Sequence, residues 1–436
     1  MNSKNEYYLP SENPVFQGKM LNFPRTLPDG WEKHVVFRPK DTIFDYTAWP
    51  SVCSDENGTL YAVSAWGMEH VCPFTKVAMY ISKNGGRSWS PPIIVQAGYL
   101  GDGGGGITYL GNGRLALAYG YHPGDVMYFD LYHRIVGTMW GGTPNSRSKL
   151  RGAMLDIYPD LPPEKLVGGS FVKVSDDYGI TWSDPIRIPV NCPHGTAVCK
   201  DGTLIYLGKE YYASTEGTFK AFAEGKGERI YADTWAEYVE KMEKTRSGAE
   251  CGVTPIYACV STDGGLTWEK RGVAKKPANI PWYSCHEPHV VELKDGSLLG
   301  AIRVEDEGGF ENEMVVYTTR SVDGGMTWSE WKCTHVNGGP PHLMQHSSGA
   351  VILTVGRRTS RTLGEFALVS FDGGETWEKE YSLDDSAPNN DLGYPCTTEL
   401  PDGSLVTVYY QVYVDPATGA ADKKPCIQSV RWSINK

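Results

Sequence analysis

A tyrosine, several carboxylates, arginines and histidines recur at fixed distances from glycine turns in this 436-residue sequence. About nine residues before such a turn stand Trp49, Gly104, Pro193 with His194, His286 with Glu287, Pro340, and Gly393 with Tyr394. Seven or eight residues after it stand Trp66, Tyr121, Glu210, Arg303, Arg357, and Tyr410 with Gln411. Glu69 and His70 follow Trp66 closely, and Arg361 follows Arg357. Glutamate and histidine can move protons near neutrality, arginine grips anions with paired donors, and tryptophan and tyrosine offer flat faces to a ligand. If these groups converge on one concavity, they form the default candidate site.

Two alternating repeats indicate that they do converge. The octapeptide Ser-x-(Asp/Asn)-x-Gly-x-(Ser/Thr)-Trp occurs five times, at residues 82–89, 175–182, 261–268, 321–328 and 370–377. Each copy has turn chemistry: the Asp or Asn side chain bonds nearby backbone amides, glycine takes a positive φ, and tryptophan plugs the hairpin into a core. The second pattern is an apolar strand, a glycine turn and another apolar strand. It occurs six times, around Gly58, Gly113, Gly202, Gly296, Gly349 and Gly403. Two hairpins make four strands, which is one propeller blade. The sixth unit lacks its tryptophan turn, so residues 426–432 and the early segment 34–38 are expected to complete it. The predicted fold is all-β, one six-bladed β-propeller over residues 34–436 behind an N-terminal extension, 1–33. A ring closed in this way leaves no long exposed edge. In a propeller the innermost strand of every blade starts at the same end of the channel and the next strand finishes there, which would gather the residues above. Longer intervals between the early copies predict insertions near 122–168 and 209–250, the second with a short surface helix over 235–244. Loops of that length inside a compact fold usually act as lids, binding loops or contact surfaces.

Hydrophobic residues at 40 % and charged residues at 21 % exclude a disordered or coiled-coil chain. No apolar run reaches membrane-spanning length. A net charge of −11 argues against general affinity for nucleic acid or an anionic membrane, so an anionic ligand must meet clustered arginine. The first residues lack the apolar core of a secretory signal, and the ten cysteines include no C-x-x-C pair, so a cytoplasmic protein with buried thiols is expected. Cys192, His194, Cys285, His286, His289 and His342 lack the regular spacing of zinc ligands. The glycine run 103–106 lacks the Lys-Ser/Thr of a phosphate loop. No metal or cofactor is expected.

The repeated turns resemble the Asp boxes, or BNR repeats, of the sialidase superfamily, and the resemblance covers roughly residues 34–432. The segment Glu287-Pro288-His289 … Arg303 looks like the sialidase blade that gives a glutamate and one arginine of a carboxylate-binding triad. Gly393-Tyr394-Pro395-Cys396 looks like the segment with the nucleophilic tyrosine. The resemblance implies that Tyr394 attacks with Glu287 as its base, the exception that sialidases make among glycosidases. It also implies that Arg357 or Arg361 joins Arg303 on the substrate anion. The first blade departs from the family: in Tyr46-Thr47-Ala48-Trp49-Pro50-Ser51, Ala48 stands at a triad arginine, and Arg38 lies too early to replace it. Glu69 or His70 stands in for the family's acidic loop residue. The expected activity is a sialidase-like exo-glycoside hydrolysis of an acidic or modified terminal sugar, with Trp49 and Trp66 lining the sugar site. His194, Glu210, Tyr121 and Gln411 would add substrate contacts. With one arginine fork missing, ordinary sialosides are expected to be poor substrates. The same funnel would also serve a lyase or hydrolase using His286 or His194 with Tyr394, or a non-catalytic glycan-binding propeller. The expected partner is an oligosaccharide or glycoside, with no nucleic-acid or membrane partner.

Overall fold

Each of the six repeat units folds into a four-stranded antiparallel sheet. The computed structural model describes residues 6–8, 19–70, 72–98, 101, 103–121, 168–190, 192–209, 255–278, 280, 282–305, 314–359 and 362–434. Blade one consists of strands Tyr46–Ser54, Leu60–Gly67, Lys76–Ser82 and Ile93–Ala97, paired in that order. Blades two to five follow over residues 103–188, 197–273, 285–337 and 342–384. Blade six takes Gly393–Glu399, Leu405–Val414 and Ala421–Ser433 from the end of the chain and Asp29–Phe37 from its beginning. The closing strand starts somewhat earlier than the expected residue 34. The predicted insertions and the helix over 235–244 lie outside the described residues, which contain one 3-10 turn, Trp282–Ser284, and no helix able to cross a membrane. The nine described cysteines form no disulfide, and most are buried.

The octapeptides join the third and fourth strands of blades one to five. In the third copy, Ser261 Oγ donates to Asp263 Oδ1 at 2.7 Å and accepts from the Gly265 amide at 2.8 Å. Asp263 also accepts from the Thr267 amide at 2.9 Å and hydroxyl at 2.6 Å, and Trp268 Nε1 donates to the Gly265 carbonyl at 2.9 Å. Gly265 has a φ of +99°, and its bare Cα faces Val174 of the preceding blade. The turn thus also serves as an inter-blade spacer.

At the axis, the blades are tied by the first strands. Ser51 Oγ accepts the Ile107 amide at 3.2 Å, His289 Nδ1 the Leu343 amide at 3.0 Å, His342 Nδ1 the Thr397 amide at 3.4 Å, and Cys396 Sγ the Val52 amide at 3.4 Å. Each of these links one blade to the next, and Gly106 packs directly on Gly195 where a Cβ would have no room. Inner-strand amides that have no partner in their own sheet are thereby satisfied.

Hydrogen bonds from Thr267 and Thr327 hold the Asp263 and Asp323 carboxyls at about 2. Burial opposes the same effect at Asp372, yet the Thr376 bonds keep it at about 2 as well. A lowered carboxyl stabilises the fold above its unfolded value and stops doing so as pH falls through the folded one. The first copy already uses Asn84, whose Oδ1 accepts from Ser82 Oγ and from the Ser88 amide, each at 3.0 Å. By linkage the triple variant Asp263→Asn/Asp323→Asn/Asp372→Asn should therefore melt below the parent at pH 7, and the two should converge as pH falls toward about 2. Calorimetry from pH 7 to pH 2 checks this, and parallel curves would refute it.

Candidate functional site

Nine residues before the turn glycine, the first strands of blades one, four and six break. Pairing slips between Ala48 and Ser51, between His286 and His289, and between Gly393 and Cys396. At each slip a non-glycine residue holds a positive φ: Trp49 at 54°, Glu287 at 43° and Tyr394 at 55°. Gly104 adopts the same conformation in blade two, at 56°. Pro50, Pro288 and Pro395 come next and have no amide to give the ladder, so the extra residue bulges and its side chain is re-aimed. Left-handed backbone at bulky residues is held against strain and tends to mark functional positions.

The re-aimed side chains meet. The Tyr394 hydroxyl donates to Glu287 Oε1, and Arg303 Nη1 donates to Glu287 Oε2. Arg303 also gives Nη2 and Nε to Glu305 Oε2, at 2.5 and 3.2 Å. His286 Nε2 stands 3.1 Å from Glu305 Oε1. Arg358 lies over the Tyr394 ring, 5.5 Å from its centre, with Nη2 3.5 Å from the Tyr410 hydroxyl. Among the described residues its buried Nε meets no acceptor. Trp49 closes the group, 6.5 Å from Tyr394 and 4.9 Å from His70.

Burial raises the Tyr394 phenol well above its usual range, and Glu287 raises it further against the pull of Arg303 and Arg358. The resting hydroxyl therefore keeps its proton and points it at a base. Burial would also raise Glu305, but Arg303 and then His286 outweigh it and hold this carboxyl below the ordinary range. Burial works against the charge on Arg303, which Glu305 and Glu287 maintain. The result is an immobile carboxylate–arginine–carboxylate chain ending on the phenol. Such an arrangement can take a proton from Tyr394 as its oxygen becomes nucleophilic.

Three predicted site residues lie elsewhere. Arg357 turns into the seam with blade four: its Nη atoms bond Glu380 at 3.0 and 2.5 Å, and its Nε donates to the Asn337 carbonyl at 3.1 Å. Gln411 is fully buried and donates to Asp384 at 2.7 Å. Trp66 donates to the Phe44 carbonyl at 2.7 Å and packs edge-on against Phe37 of the closing strand, 5.1 Å away. All three follow their turn glycine by eight residues, whereas Arg303 and Tyr410 follow by seven and Arg358 by nine. Strand alternation sends odd offsets into the funnel and even ones into the seam. Sequence reasoning therefore missed Arg358 by one residue. It also missed Glu305, two residues beyond Arg303. Glu210, Arg361 and the Tyr121 side chain lie outside the described residues.

Beneath Tyr394, three histidines crowd the axis. His194 lies 5.6 Å from His289, 5.4 Å from His342 and 6.1 Å from the Tyr394 ring, while His289 and His342 stack at 4.3 Å. His289 and His342 each accept a backbone amide at Nδ1, so the proton sits on Nε2 and neither neutral ring has a lone pair left for a metal. Burial lowers all three well below the usual histidine range, and they stay neutral. Among the described residues no cluster of histidine, cysteine or carboxylate is arranged to hold a metal. Glu69 is buried, and His70 is half-buried.

The two arginines should separate in mutants. Arg357→Met leaves Glu380 buried without its partner and should lower unfolding free energy by about 3–5 kcal/mol. Arg358→Met should change stability much less, since among the described residues its guanidinium makes one long hydrogen bond. Urea unfolding of both variants tests this assignment, and equal losses would contradict it.

Ala48, at 0 % exposure, packs in the apolar cluster that includes Tyr46, Tyr394 and Tyr410. No curated protein matches the chain by sequence. Several solved structures share its fold. A protein of unknown function from Dyadobacter fermentans DSM 18053 matches with a TM-score of 0.64 at 18% identity, over 93% of this chain and 100% of that one. A point mutant of NanB sialidase from Streptococcus pneumoniae matches with a TM-score of 0.59 at 14% identity, over 97% and 72%. A point mutant of the α-L-arabinofuranosidase Arb93a from Fusarium graminearum, in complex with an iminosugar inhibitor, matches with a TM-score of 0.55 at 12% identity, over 92% and 96%. The family model for the BNR repeat-like domain matches residues 166–408, more than half of the sequence. With five octapeptide turns, six closed blades and that match, the chain belongs to the BNR repeat-like family and has the sialidase-like six-bladed propeller fold.

Proposed function

We propose that this protein is an exo-acting, retaining glycoside hydrolase for a terminal sugar that carries an acidic or otherwise modified group. The observation that carries this reading is the Tyr394 hydroxyl hydrogen-bonded to Glu287, itself clamped by Arg303. The fold is shared with a sialidase and an α-L-arabinofuranosidase, which favours a glycan substrate over other classes. Tyr394 Oη attacks the anomeric carbon as the bond to the leaving oxygen breaks; the phenolic proton passes to Glu287, and the departing oxygen takes a proton from an acid or from solvent. Water then displaces Tyr394 from the sugar and gives up one proton to that same acid or to solvent, and Glu287 returns its proton to Tyr394. A phenol suits a negatively charged sugar because a carboxylate nucleophile would be repelled by it.

Charge accounting narrows the substrate. Arg303 is committed to Glu287 and Glu305, so Arg358 is the arginine available to a ligand anion among the described residues. One fork suits a single, peripheral acidic group better than the anomeric carboxylate of a sialoside. Trp49 supplies a face for the sugar ring.

A panel of acidic and neutral aryl glycosides and oligosaccharides tests the reading. Turnover of at least one non-sialoside is expected, and Tyr394→Phe should abolish it by removing the attacking oxygen. Full activity in Tyr394→Phe would move the chemistry to the histidines. Ala48→Arg, which would restore the family's third arginine, places a charge in the fully buried apolar cluster. It should lower stability by more than about 4 kcal/mol and leave sialoside turnover low. A stable variant with robust sialoside turnover would overturn the charge argument.

A further inference from the structure

Gly356 leaves a gap on the face of blade five that meets blade six, and a carboxyl from the next strand fills it. Glu365 stands opposite Gly356 in register, and Arg358, two residues on, shares that face. A Cβ on Gly356 would lie 3.2 Å from Glu365 Oε2 and 2.8 Å from the Gly393 Cα. A Cβ on Gly393 would in turn lie 2.9 Å from Arg358 Nη2. Both side chains thus reach the backbone just before Tyr394. Among the described residues, neither Glu365 oxygen accepts a hydrogen bond and Arg358 Nε finds no acceptor, although Glu365 is 0 % exposed. An apolar side chain would fill the gap without the cost of burying an unpaired carboxyl, so an ionisable group here calls for a role.

We propose that Glu365 is a positioning residue that sets the site's preference for acidic sugars, by competing with the ligand's anionic group for the Arg358 guanidinium. This rests on the reading of Arg358 as the arginine that meets the ligand anion. With Glu365 uncharged, Arg358 gives its full charge to the ligand. With Glu365 ionised, that charge is divided, and a second anion nearby is repelled. An acidic ligand therefore binds the protonated form, and one proton is taken up from solvent wherever Glu365 had lost it. A neutral ligand has no such differential interaction and leaves the proton equilibrium where it was.

The surroundings decide which form rests in the seam. Burial raises the Glu365 carboxyl well above its ordinary range; Arg358 on the second strand opposes the rise, and Asp384 on the fourth adds to it. Lys33 of the closing strand is committed elsewhere, with its ammonium 2.5 Å from Asp384 Oδ2. That oxygen also accepts from the Tyr409 hydroxyl and Gln411 Nε2, each at 2.7 Å. Tyr409 and Tyr410 face Glu365 from blade six, and burial raises both phenols, so they stay uncharged. Asp384 is thus neutralised within its own network, and Arg358 is the cation that responds to Glu365. A ligand anion on Arg358 should raise the Glu365 midpoint further, and by reciprocity ionised Glu365 should weaken that ligand.

Two measurements test the proposal. Infrared difference spectra between the protein and Glu365→Gln isolate the carbonyl stretch of a protonated Glu365. The band should be present at neutral pH, and its midpoint should rise by at least about one unit in Arg358→Met, where the opposing cation is gone. Absence of the band at neutral pH, or an unmoved midpoint, overturns the coupling. The second measurement compares the acidic glycoside selected by the panel with the same glycoside bearing a hydroxyl in place of its acidic group. The ratio of kcat/KM, acidic over neutral, should fall about tenfold as pH rises through that midpoint, with the change carried by KM. In Glu365→Gln the ratio should stay flat. Simple loss of packing would affect both substrates alike at every pH. A ratio that is flat in the parent, or falls equally in Glu365→Gln, overturns the role. Arg358→Met separates the two readings. If it keeps the acidic preference, the assignment of Arg358 to the ligand anion fails. If it loses the preference while Glu365→Gln follows the parent profile, the Glu365 role fails alone.

Discussion

Trp49, Glu287 and Tyr394 hold a left-handed backbone one residue before a proline, and the site depends on that constraint. Proline already disfavours the helical region for the residue before it, and bulky residues rarely enter the left-handed one. Each position costs about 1–3 kcal/mol of local strain and persists because the surrounding sheet over-determines it. The return on that strain is directional. A regular strand would alternate these side chains between the two seams. The bulge frees one residue per blade from alternation and turns it toward the funnel. Blade two makes the same break with Gly104, which has no side chain to present and opens space instead.

Once the side chains are aimed, electrostatics sets their division of labour. Glu287 faces two donors at once, Arg303 and the Tyr394 hydroxyl, so it is oriented as an acceptor. Glu305 neutralises the remainder of Arg303 and anchors it from the far side. An arginine held between two carboxylates is a rigid strut with little capacity left for a ligand. A second arginine with an open donor, Arg358, can then act on the ligand without disturbing the base. In blade one Ala48 is buried in the same apolar cluster as Tyr46 and Tyr394, which makes that corner an apolar wall.

Much of this was legible in the repeats. The octapeptides and glycine turns marked six blades, and counting nine residues back from each turn landed on Trp49, Glu287 and Tyr394 because every blade has the same strand length there. Forward counting was ambiguous by one residue, and in a strand one residue is a whole face. That is why Arg357, Gln411 and Trp66 were assigned to the funnel while they fill seams. The Xaa-Pro step shared by the three bulges was visible in the sequence, yet proline alone does not reveal a positive φ. Asp391 lies in the segment leading into blade six and Tyr46 opens blade one, so their hydrogen bond forms only through closure of the ring. No local pattern could pair them.

The axial ties also bear on the chemistry. His289 and His342 serve as acceptors for backbone amides of the next blades, which commits their Nδ1 atoms and fixes them as neutral rings. Their neutrality leaves the floor under Tyr394 without a competing cation, so beyond its burial the phenol responds chiefly to Glu287, Arg303 and Arg358. A charged floor would stabilise a resting phenolate and remove the need for a base. A neutral one keeps the proton on Tyr394 until Glu287 takes it. The same contacts that close the propeller thus preserve the low-dielectric setting in which a carboxylate can govern a phenol.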